Sequence, residues 1–229
     1  MTVLAAEKQM MIVEERASVS VISRGEQRKL YLMAKRLLDI VVASIGLAVM
    51  LLPMALILVM IRLESPGSAL YVHHRIGKNG EPLPLLKFRS MRKDADAMLK
   101  QFTPEQKKEW EKNFKLDNDP RVTRIGKFLR RSSLDELPQL FNVLRGELSI
   151  VGPRPVVEKE LERYGGNREK FLSVTPGLTG YWQAYARSTC SYEERMKMEL
   201  DYVDNACFWW DIKIMFATVG AVLRCRGAV

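Results

Sequence analysis

One long run of apolar residues stands out along the chain. Residues 40–61, IVVASIGLAVMLLPMALILVMI, carry no charged side chain. About 20 consecutive apolar residues are enough for a helix to span a bilayer. The run begins too far into the chain for an ordinary signal peptide, and no small-residue cleavage site follows it directly. We therefore expect this segment to be retained and to interact with a membrane or a core.

Pro53 lies inside this run and changes what the run can do. A proline removes a backbone donor and clashes with the preceding turn, so neither arm, 40–52 or 54–61, would span the bilayer alone. Both flanks are basic, which favours the cytoplasmic side for both ends. Three interpretations stay open from the residues alone: a re-entrant hairpin, a kinked transmembrane helix and a buried core helix. The flanking cations are Arg28, Lys29, Lys35 and Arg36 before the run, and Arg62, Arg75 and Lys78 after it.

The rest of the chain alternates shorter patterns. Residues 1–30 lack strong periodicity and predict a mobile N-terminal arm, whereas SALYVHHRIGKNGEPLPLLKFRSM predicts a β-hairpin around a glycine-containing turn. Helical spacing follows in RKDADAMLKQFTPEQKKEWEKNFKL, RIGKFLRRSS and VVEKELERY. The tail carries Trp209 among apolar and charged residues, which suits either the lipid headgroup level or a core-packing helix.

Charge and cysteine content narrow the class of partner. The net charge of +9 implies an acidic partner such as nucleic acid, anionic lipid or a phosphorylated substrate. Cys190, Cys207 and Cys225 show no metal-binding spacing, which is typical of reduced thiols facing the cytosol. The adjacent His73 and His74 have no nearby cysteine or third histidine, so we expect loop histidines rather than zinc ligands.

Two adjacent acids, Asp135 and Glu136, lie within the stretch RRSSLDELPQLFNVL. Ser133 and Glu136 match a capping box followed by apolar positions at helical spacing, so a simple helix start is one interpretation. The other is chemical: an ionised Asp135 at a helix N-terminus, among basic residues, could attack a phosphorus atom. The nearby cations are Arg124, Lys127, Arg130 and Arg131.

A proline-flanked arginine follows in VGPRPVV. Pro153 and Pro155 fix the backbone on both sides of Arg154, and a rigidly presented arginine suits a phosphate clamp. A surface turn is the alternative interpretation of this short motif.

Four stretches together resemble the bacterial sugar transferase family, the monotopic polyprenyl-phosphate phosphoglycosyl transferases. They are KRLLDIVVASIGLAVMLLP, RIGKNGEPLPLLKFRSM, DPRVTRIGKFLRRSSLDELPQLFNVLRGELSIVGPRP and PGLTGYWQAYAR. The resemblance implies a helix-rich α/β fold of mixed α+β type in a monotopic membrane protein. It implies an N-terminal arm over residues 1–34 and a re-entrant helix-break-helix hairpin over 35–63, broken at Pro53. A transferase domain with C-terminal interfacial amphipathic helices would occupy 64–229.

The resemblance also implies a reaction and its residues. A sugar-1-phosphate, expected to be a hexose-1-phosphate, would pass from a UDP-sugar to undecaprenyl phosphate with release of UMP, starting exopolysaccharide, capsule or O-antigen assembly. Asp135 would be the nucleophile that forms a covalent phospho-sugar, Glu136 would support it, and Mg²⁺ would bind Asp135 and the diphosphate. The residues implied to hold phosphates or lie near the substrate are Lys87, Arg130, Pro153, Arg154, Pro155, Gln183 and Arg187.

The resemblance places the catalytic domain on the cytoplasmic face of the bacterial inner membrane, with an anionic lipid bilayer as a partner. It implies no nucleic-acid partner and leaves a homo-oligomer open. Many relatives carry transmembrane helices before the catalytic unit, so this chain is expected to be of the minimal type that starts exopolysaccharides with galactose or glucose. A non-catalytic scaffold of a polysaccharide assembly complex is the alternative. Nucleic-acid binding is suggested by charge alone, without a recognisable motif.

Overall fold

The computed structural model describes residues 2–107, 116, 119–186 and 190–223, and of residues 2–25, 96, 99–100 and 222–223 it describes only the backbone. The chain divides into two compact units at Leu38 and Asp39. The boundaries predicted at 34/35 and 63/64 stay predictions.

Helices dominate the described residues, and two small sheets accompany them. The helices are α1 (Thr2–Glu64), α2 (Ala95–Lys100), α3 (Arg124–Ser132), α4 (Gln139–Arg145), α5 (Glu158–Leu161), α6 (Arg168–Leu172), α7 (Tyr181–Tyr185), α8 (Tyr192–Asn205) and α9 (Phe208–Leu223). The strands are β1 (Leu70–Ile76), β2 (Pro82–Phe88), β3 (Ser149–Val151) and β4 (Gly177–Thr179). Short 3₁₀ turns cover Lys78–Gly80, Leu134–Glu136 and Glu162–Asn167. The prediction of a helix-rich fold of mixed type is confirmed.

Helix α1 differs from its prediction at two places. It runs through Pro53 without interruption, so a reversal at that residue is not confirmed. Residues 1–30, expected from their weak periodicity to form a mobile arm, are helical from Thr2 onward. The physical reason is visible in the sequence: before Pro53 this stretch contains no proline, and Gly25 is its first glycine.

Within the second unit, one face of the α1 segment from Asp39 to Glu64 packs into the core. Ala43, Met54, Ile57 and Ile61 are buried at helical spacing, and they join two clusters that include residues of β2, β3, α3 and α4. The opposite face exposes large apolar side chains, among them Ile45, Val49, Leu52, Leu56, Val59 and Leu63. Residues 26–64 form a helix long and apolar enough to cross a membrane, judged by length and composition.

Acidic side chains at both ends of the apolar run form hydrogen bonds to later residues of the same second unit. Asp39 is buried and accepts hydrogen bonds from the Ser149 hydroxyl at 3.0 Å and the Ile150 amide at 2.8 Å. Glu64 accepts from the backbone amides of Arg124 at 2.8 Å and Ile125 at 3.1 Å, at the first turn of α3. A carboxylate at this end of a helix satisfies free amides and interacts favourably with the dipole.

The predicted hairpin is confirmed. Strands β1 and β2 pair antiparallel from Leu70 opposite Phe88 to Ile76 opposite Pro82. His73 therefore lies in β1 opposite Leu85, not in a loop as the sequence suggested. This hairpin carries the side chain of Lys87 toward the acidic turn after α3.

The second sheet brings two distant loops into backbone contact. Strands β3 and β4 pair in parallel, and a Cβ at Gly177 would lie 2.1 Å from the backbone nitrogen of Gly152. Only glycine fits at such an approach. The contact places the loop after β3, with residues 153–155, beside the stretch that leads into α7.

The C-terminal helices close the core. The predicted tail helix is confirmed as α9, which buries Ile214 completely and leaves Trp209 72% and Phe216 75% exposed. The core-packing interpretation is therefore confirmed for one face of this helix, and contact of the exposed face with lipid headgroups stays a prediction. Helix α8 was not predicted, although Ser191 and Glu194 form a capping box at its start.

Candidate active site

The two adjacent acids lie in a 3₁₀ turn between α3 and α4. Ser133 ends α3 in the left-handed conformation, with φ of 58°, and its side chain makes no capping hydrogen bond. The predicted capping box is therefore wrong, because α4 begins only at Gln139, after Pro138. The turn presents the carboxyl groups of Asp135 and Glu136 from the short link between two helices.

Glu136 is paired with a lysine from the hairpin. Lys87 Nζ lies 2.6 Å from Glu136 Oε1, and both side chains are largely buried. Asn142 fixes the strand behind this pair: its Oδ1 accepts the Leu86 amide at 3.0 Å, and its Nδ2 donates to the Pro84 carbonyl at 2.8 Å. Strand β2 and helix α4 are thus joined beside the acidic turn.

The two acids differ in protonation behaviour. Burial and the neighbouring charge of Glu136 raise the pKa of Asp135 to about 6, although Lys87 and Arg130 act in the opposite direction. Burial also acts to raise the pKa of Glu136, but Lys87, Arg154 and hydrogen bonds outweigh it and lower that pKa. At neutral pH Asp135 is mainly ionised, yet its charge is the less compensated of the two.

Arg130 approaches the acidic turn from α3. Its Nε donates to the Ser90 hydroxyl at 2.9 Å, and its charge acts favourably on Asp135. Nearby, Asp119 and Arg121 form a buried ion pair with an oxygen–nitrogen distance of 2.6 Å. The charge of Arg130 therefore acts on both Asp135 and Asp119.

A pocket opens between the hairpin, the acidic turn and the loop after β3. It encloses about 290 Å³ of empty space, counting the part open to solvent. The predicted residues on its walls are Lys87, Glu136, Arg154, Pro155 and Gln183. Arg75 and Gln139 also line it, although sequence reasoning gave them no role in the site.

Three predicted residues, Asp135, Arg130 and Pro153, are not among the pocket's wall residues. Asp135 and Pro153 are each next to a wall residue in sequence, and Arg130 acts electrostatically on Asp135. Arg187 lies outside the described residues. The structure thus brings together the acidic turn, Lys87 and the Pro153–Pro155 turn.

A second group of charges lies behind the Arg154 turn. Arg75 pairs with Glu160 at 2.7 Å, and Arg195 lies 3.6 Å from Glu160 and 3.3 Å from Glu199. The hydroxyl of Tyr164 donates to Glu199. Nothing in the spacing of these residues indicated that they would meet, since Arg75 and Glu160 are 85 positions apart.

The acidic turn offers few protein ligands for a divalent cation. Within the described ranges, no group of three or more His, Cys, Asp or Glu residues could hold a metal ion. Mg²⁺ needs fewer protein ligands, since it is commonly held by one or two carboxylates together with substrate phosphates. Asp135, whose charge is undercompensated, fits that pattern, whereas Glu136 is occupied by Lys87.

Comparison with known proteins agrees with these features. A profile described as bacterial sugar transferase matches residues 30–225. The chain belongs to the bacterial sugar transferase family. This family match confirms the resemblance drawn from the four sequence stretches, and the matched range contains both the acidic turn and the Arg154 turn.

Several relatives of known name share this part of the family. A UDP-galactose-lipid carrier transferase of Erwinia amylovora is 46% identical over 197 residues, which cover 85% of this chain and 41% of that protein. An undecaprenyl-phosphate galactose phosphotransferase of Salmonella typhimurium is 45% identical, with the same 85% and 41% coverage. The exopolysaccharide production protein ExoY of Rhizobium meliloti is 44% identical over 207 residues, 89% of this chain and 92% of that protein. The chain therefore spans less than half of the first two relatives.

Sequence reasoning missed Asn142, Arg75 and Glu160 in this member of the family. A signal existed for Asn142, which is a polar residue inside the apolar helical run QLFNVL and is fully buried. A buried asparagine must satisfy its amide, so such a position indicates a structural hydrogen bond.

Proposed function

We propose that this family member transfers a sugar-1-phosphate, specifically a hexose-1-phosphate, from a UDP-sugar to undecaprenyl phosphate and releases UMP. The reaction would start the assembly of an exopolysaccharide, capsule or O-antigen. The names of the relatives described above support this, since they include a UDP-galactose-lipid carrier transferase, an undecaprenyl-phosphate galactose phosphotransferase and an exopolysaccharide production protein.

The observation that carries the proposal is that the two carboxylates of the acidic turn have different environments. Glu136 is neutralised by Lys87, while Asp135 has no salt-bridge partner among the residues described and a pKa raised to about 6 by burial and Glu136. A carboxylate that is ionised at neutral pH yet poorly compensated is suited to act as a nucleophile.

The proposed reaction has two displacement steps at one phosphorus atom. First, an Asp135 carboxylate oxygen bonds to the phosphorus that bears the sugar, and the bond from that phosphorus to the bridging oxygen breaks. UMP leaves with that oxygen and the electron pair. Second, an oxygen of undecaprenyl phosphate attacks the same phosphorus, and the Asp135 carboxylate is regenerated.

The surrounding residues supply orientation and charge. Lys87 holds Glu136 and limits the repulsion between the acidic turn and an incoming phosphate. Arg154 would bind phosphate oxygens from the pocket wall, with Pro153 and Pro155 restricting its backbone. Arg130 would offset negative charge near Asp135.

Asp135 would also hold Mg²⁺ together with the substrate phosphates, and the ion would supply positive charge that neutralises the diphosphate. Gln183 lines the same pocket and is placed to contact the substrate.

We also propose that the protein lies on the cytoplasmic face of the bacterial inner membrane. The exposed apolar face of α1 and the exposed Trp209 and Phe216 support contact with lipid. Asp39 and Glu64, at the two ends of the apolar run, bond to the same unit, which supports an arrangement in which the run does not cross. A reversal at Pro53 and the interfacial position of the C-terminal helices stay predictions.

A labelling experiment tests the membrane proposal. Single cysteines placed near Arg36 and near Ser68, in a chain without its own cysteines, should both resist membrane-impermeant reagents in intact cells and react after lysis. Labelling of only one of the two from outside would show that the run crosses the membrane.

The proposed activity is tested by UMP release. Purified full-length protein in nanodiscs would be given undecaprenyl phosphate, Mg²⁺ and, one at a time, a panel of UDP-sugars. Release with one or a few UDP-hexoses is expected, and none from the Asp135→Asn variant. Absence of UMP with every sugar would overturn the proposal and leave the scaffold alternative.

A further inference from the structure

Glu199 is a buried carboxylate that the proposed chemistry does not use. It lies on α8 and is 2% exposed. Its Oε1 accepts the backbone amide of Arg154 at 3.3 Å and Nε of Arg195 at 3.3 Å, and its Oε2 accepts the Tyr164 hydroxyl. A carboxylate is costly to bury unless hydrogen bonds and a charge partner compensate it, so these contacts explain how it is tolerated.

The contact with Arg154 is special because of the sequence around it. Pro153 and Pro155 have no backbone N–H, so the amide of Arg154 is the only backbone donor in this three-residue turn. Glu199 accepts from that donor. The carboxylate therefore holds the turn at the residue that carries the guanidinium group.

The side chain of Arg154 is held more loosely than its backbone. No carboxylate in the described part of the chain forms a salt bridge with its guanidinium group, which lines the pocket. The group lies 6.0 Å from the centre of the Trp182 ring, and Arg195 lies 4.6 Å from the same ring. Because a contact at this distance from a ring is weak, we expect the direction of the Arg154 side chain to depend on the position of its backbone.

We propose that Glu199 is a positioning residue for Arg154: by binding the backbone amide between the two prolines, it sets the point from which the guanidinium group reaches phosphate. The inference rests on the proposed function and adds a residue to it. Glu199 touches neither substrate nor reacting atoms in this account, so its effect on the reaction must pass through Arg154.

A double-mutant cycle on the full-length protein separates this role from a general effect on the fold. Glu199→Leu removes the acceptor, and we expect kcat/KM for the UDP-sugar to fall about 10- to 100-fold, since small misplacements of a binding group are costly. In an Arg154→Ala background the same change should cost less than about threefold, because residues that act through one another are not additive. Glu199→Gln keeps an acceptor oxygen, and we expect it to stay within about threefold of wild type.

Tyr164→Phe is the matched control, because it removes the hydrogen bond to the other oxygen of the same carboxylate. It should lower the thermal unfolding midpoint but leave kcat/KM within about threefold of wild type. If Glu199→Leu does not fold, Glu199→Asp, which withdraws the carboxylate by one methylene, replaces it, and kcat/KM is measured in the same double-mutant cycle.

The outcomes are distinct. Equal losses from the Glu199 change with and without Arg154 would overturn the positioning role while the proposed function stands. A wild-type protein that releases no UMP with any UDP-sugar would overturn both.

Discussion

Two acidic centres flank Arg154, and they are built differently. Around Glu160 and Glu199, carboxylates are closely paired with the guanidinium groups of Arg75 and Arg195. In the turn after α3, Lys87 forms an ion pair with Glu136, whereas the pKa of Asp135 stays raised by burial and by Glu136 although Lys87 and Arg130 oppose the shift. The first centre resembles the buried ion networks that fix a structure, whereas the second retains charge for chemistry. Burial raises the pKa of Glu199 as well, so it is the difference in pairing and the place beside the pocket that support Asp135 as the proposed nucleophile.

The largest expected effect on UMP release comes from substituting Asp135. Asp135→Asn keeps the shape of the side chain but removes the nucleophile, so UMP release should fall by about 10³-fold or more. Glu136→Gln should lower kcat less, since it disturbs the pair with Lys87 rather than the attacking group. Turnover of the Asp135→Asn variant near the wild-type rate would contradict the assignment.

Arg154 stands between the two centres, and its loss should have the next largest effect. Arg154→Ala should cost about 2–4 kcal/mol of transition-state stabilisation, the range for one strong electrostatic contact, measured as kcat/KM. Arg154→Lys should restore only part, because the bidentate geometry is lost. Arg163→Ala is the control, since this exposed arginine stacks on Tyr192 and does not line the pocket. Full activity of the lysine variant would argue against a bidentate clamp.

The two centres should respond oppositely when a carboxylate becomes an amide. Glu160→Gln leaves Arg75 and Arg195 without full compensation, and the free energy of unfolding should drop by about 3 kcal/mol. Asp135→Asn should instead raise it by about 1–3 kcal/mol at pH 8 in the presence of EDTA, because it removes a poorly compensated charge. Denaturant unfolding of both variants measures the difference, and a loss of stability in both would remove the distinction.

The contributions of Asp135 and Glu160 to the free energy of unfolding should also differ in their dependence on pH. The pKa of Asp135 is raised from 3.8 to about 6, so its ionisation destabilises the fold above pH 6 and ceases to do so as pH falls toward 4. The stability advantage of Asp135→Asn in EDTA should therefore shrink over that range. The pKa of Glu160 is lowered by Arg195 and Arg75 against the effect of burial, so its contribution should persist from pH 8 to pH 5. An advantage of Asp135→Asn that does not change between pH 8 and 4 would refute the raised pKa.

Much of this arrangement could be predicted from the chain, and the missing parts share a cause. The hairpin and α3 followed from local patterns, and the acidic turn and the proline-flanked Arg154 were visible as motifs. The pairing of Arg75 with Glu160 could not be predicted, because it depends on how distant segments meet in the fold.

Tertiary structure also overrode two local signals. Pro53 predicts an interrupted helix, whereas α1 is continuous there and Met54 and Ile57 pack in the core of the same unit, so the reversal stays a prediction. Ser133 and Glu136 predict a cap, but Ser133 adopts a left-handed conformation that ends the preceding helix instead.

The central claim, that Asp135 forms a covalent bond to the transferred phosphate, has one direct test. Purified protein would receive its UDP-sugar and Mg²⁺ without undecaprenyl phosphate, and UMP release and intact mass would be measured together. We predict at most about one UMP per protein and a hexose-phosphate adduct that maps to Asp135 and is released by hydroxylamine, as expected of an acyl phosphate. UMP that appears only when the lipid is added, with no adduct at any time, would contradict the claim and favour direct transfer in a ternary complex.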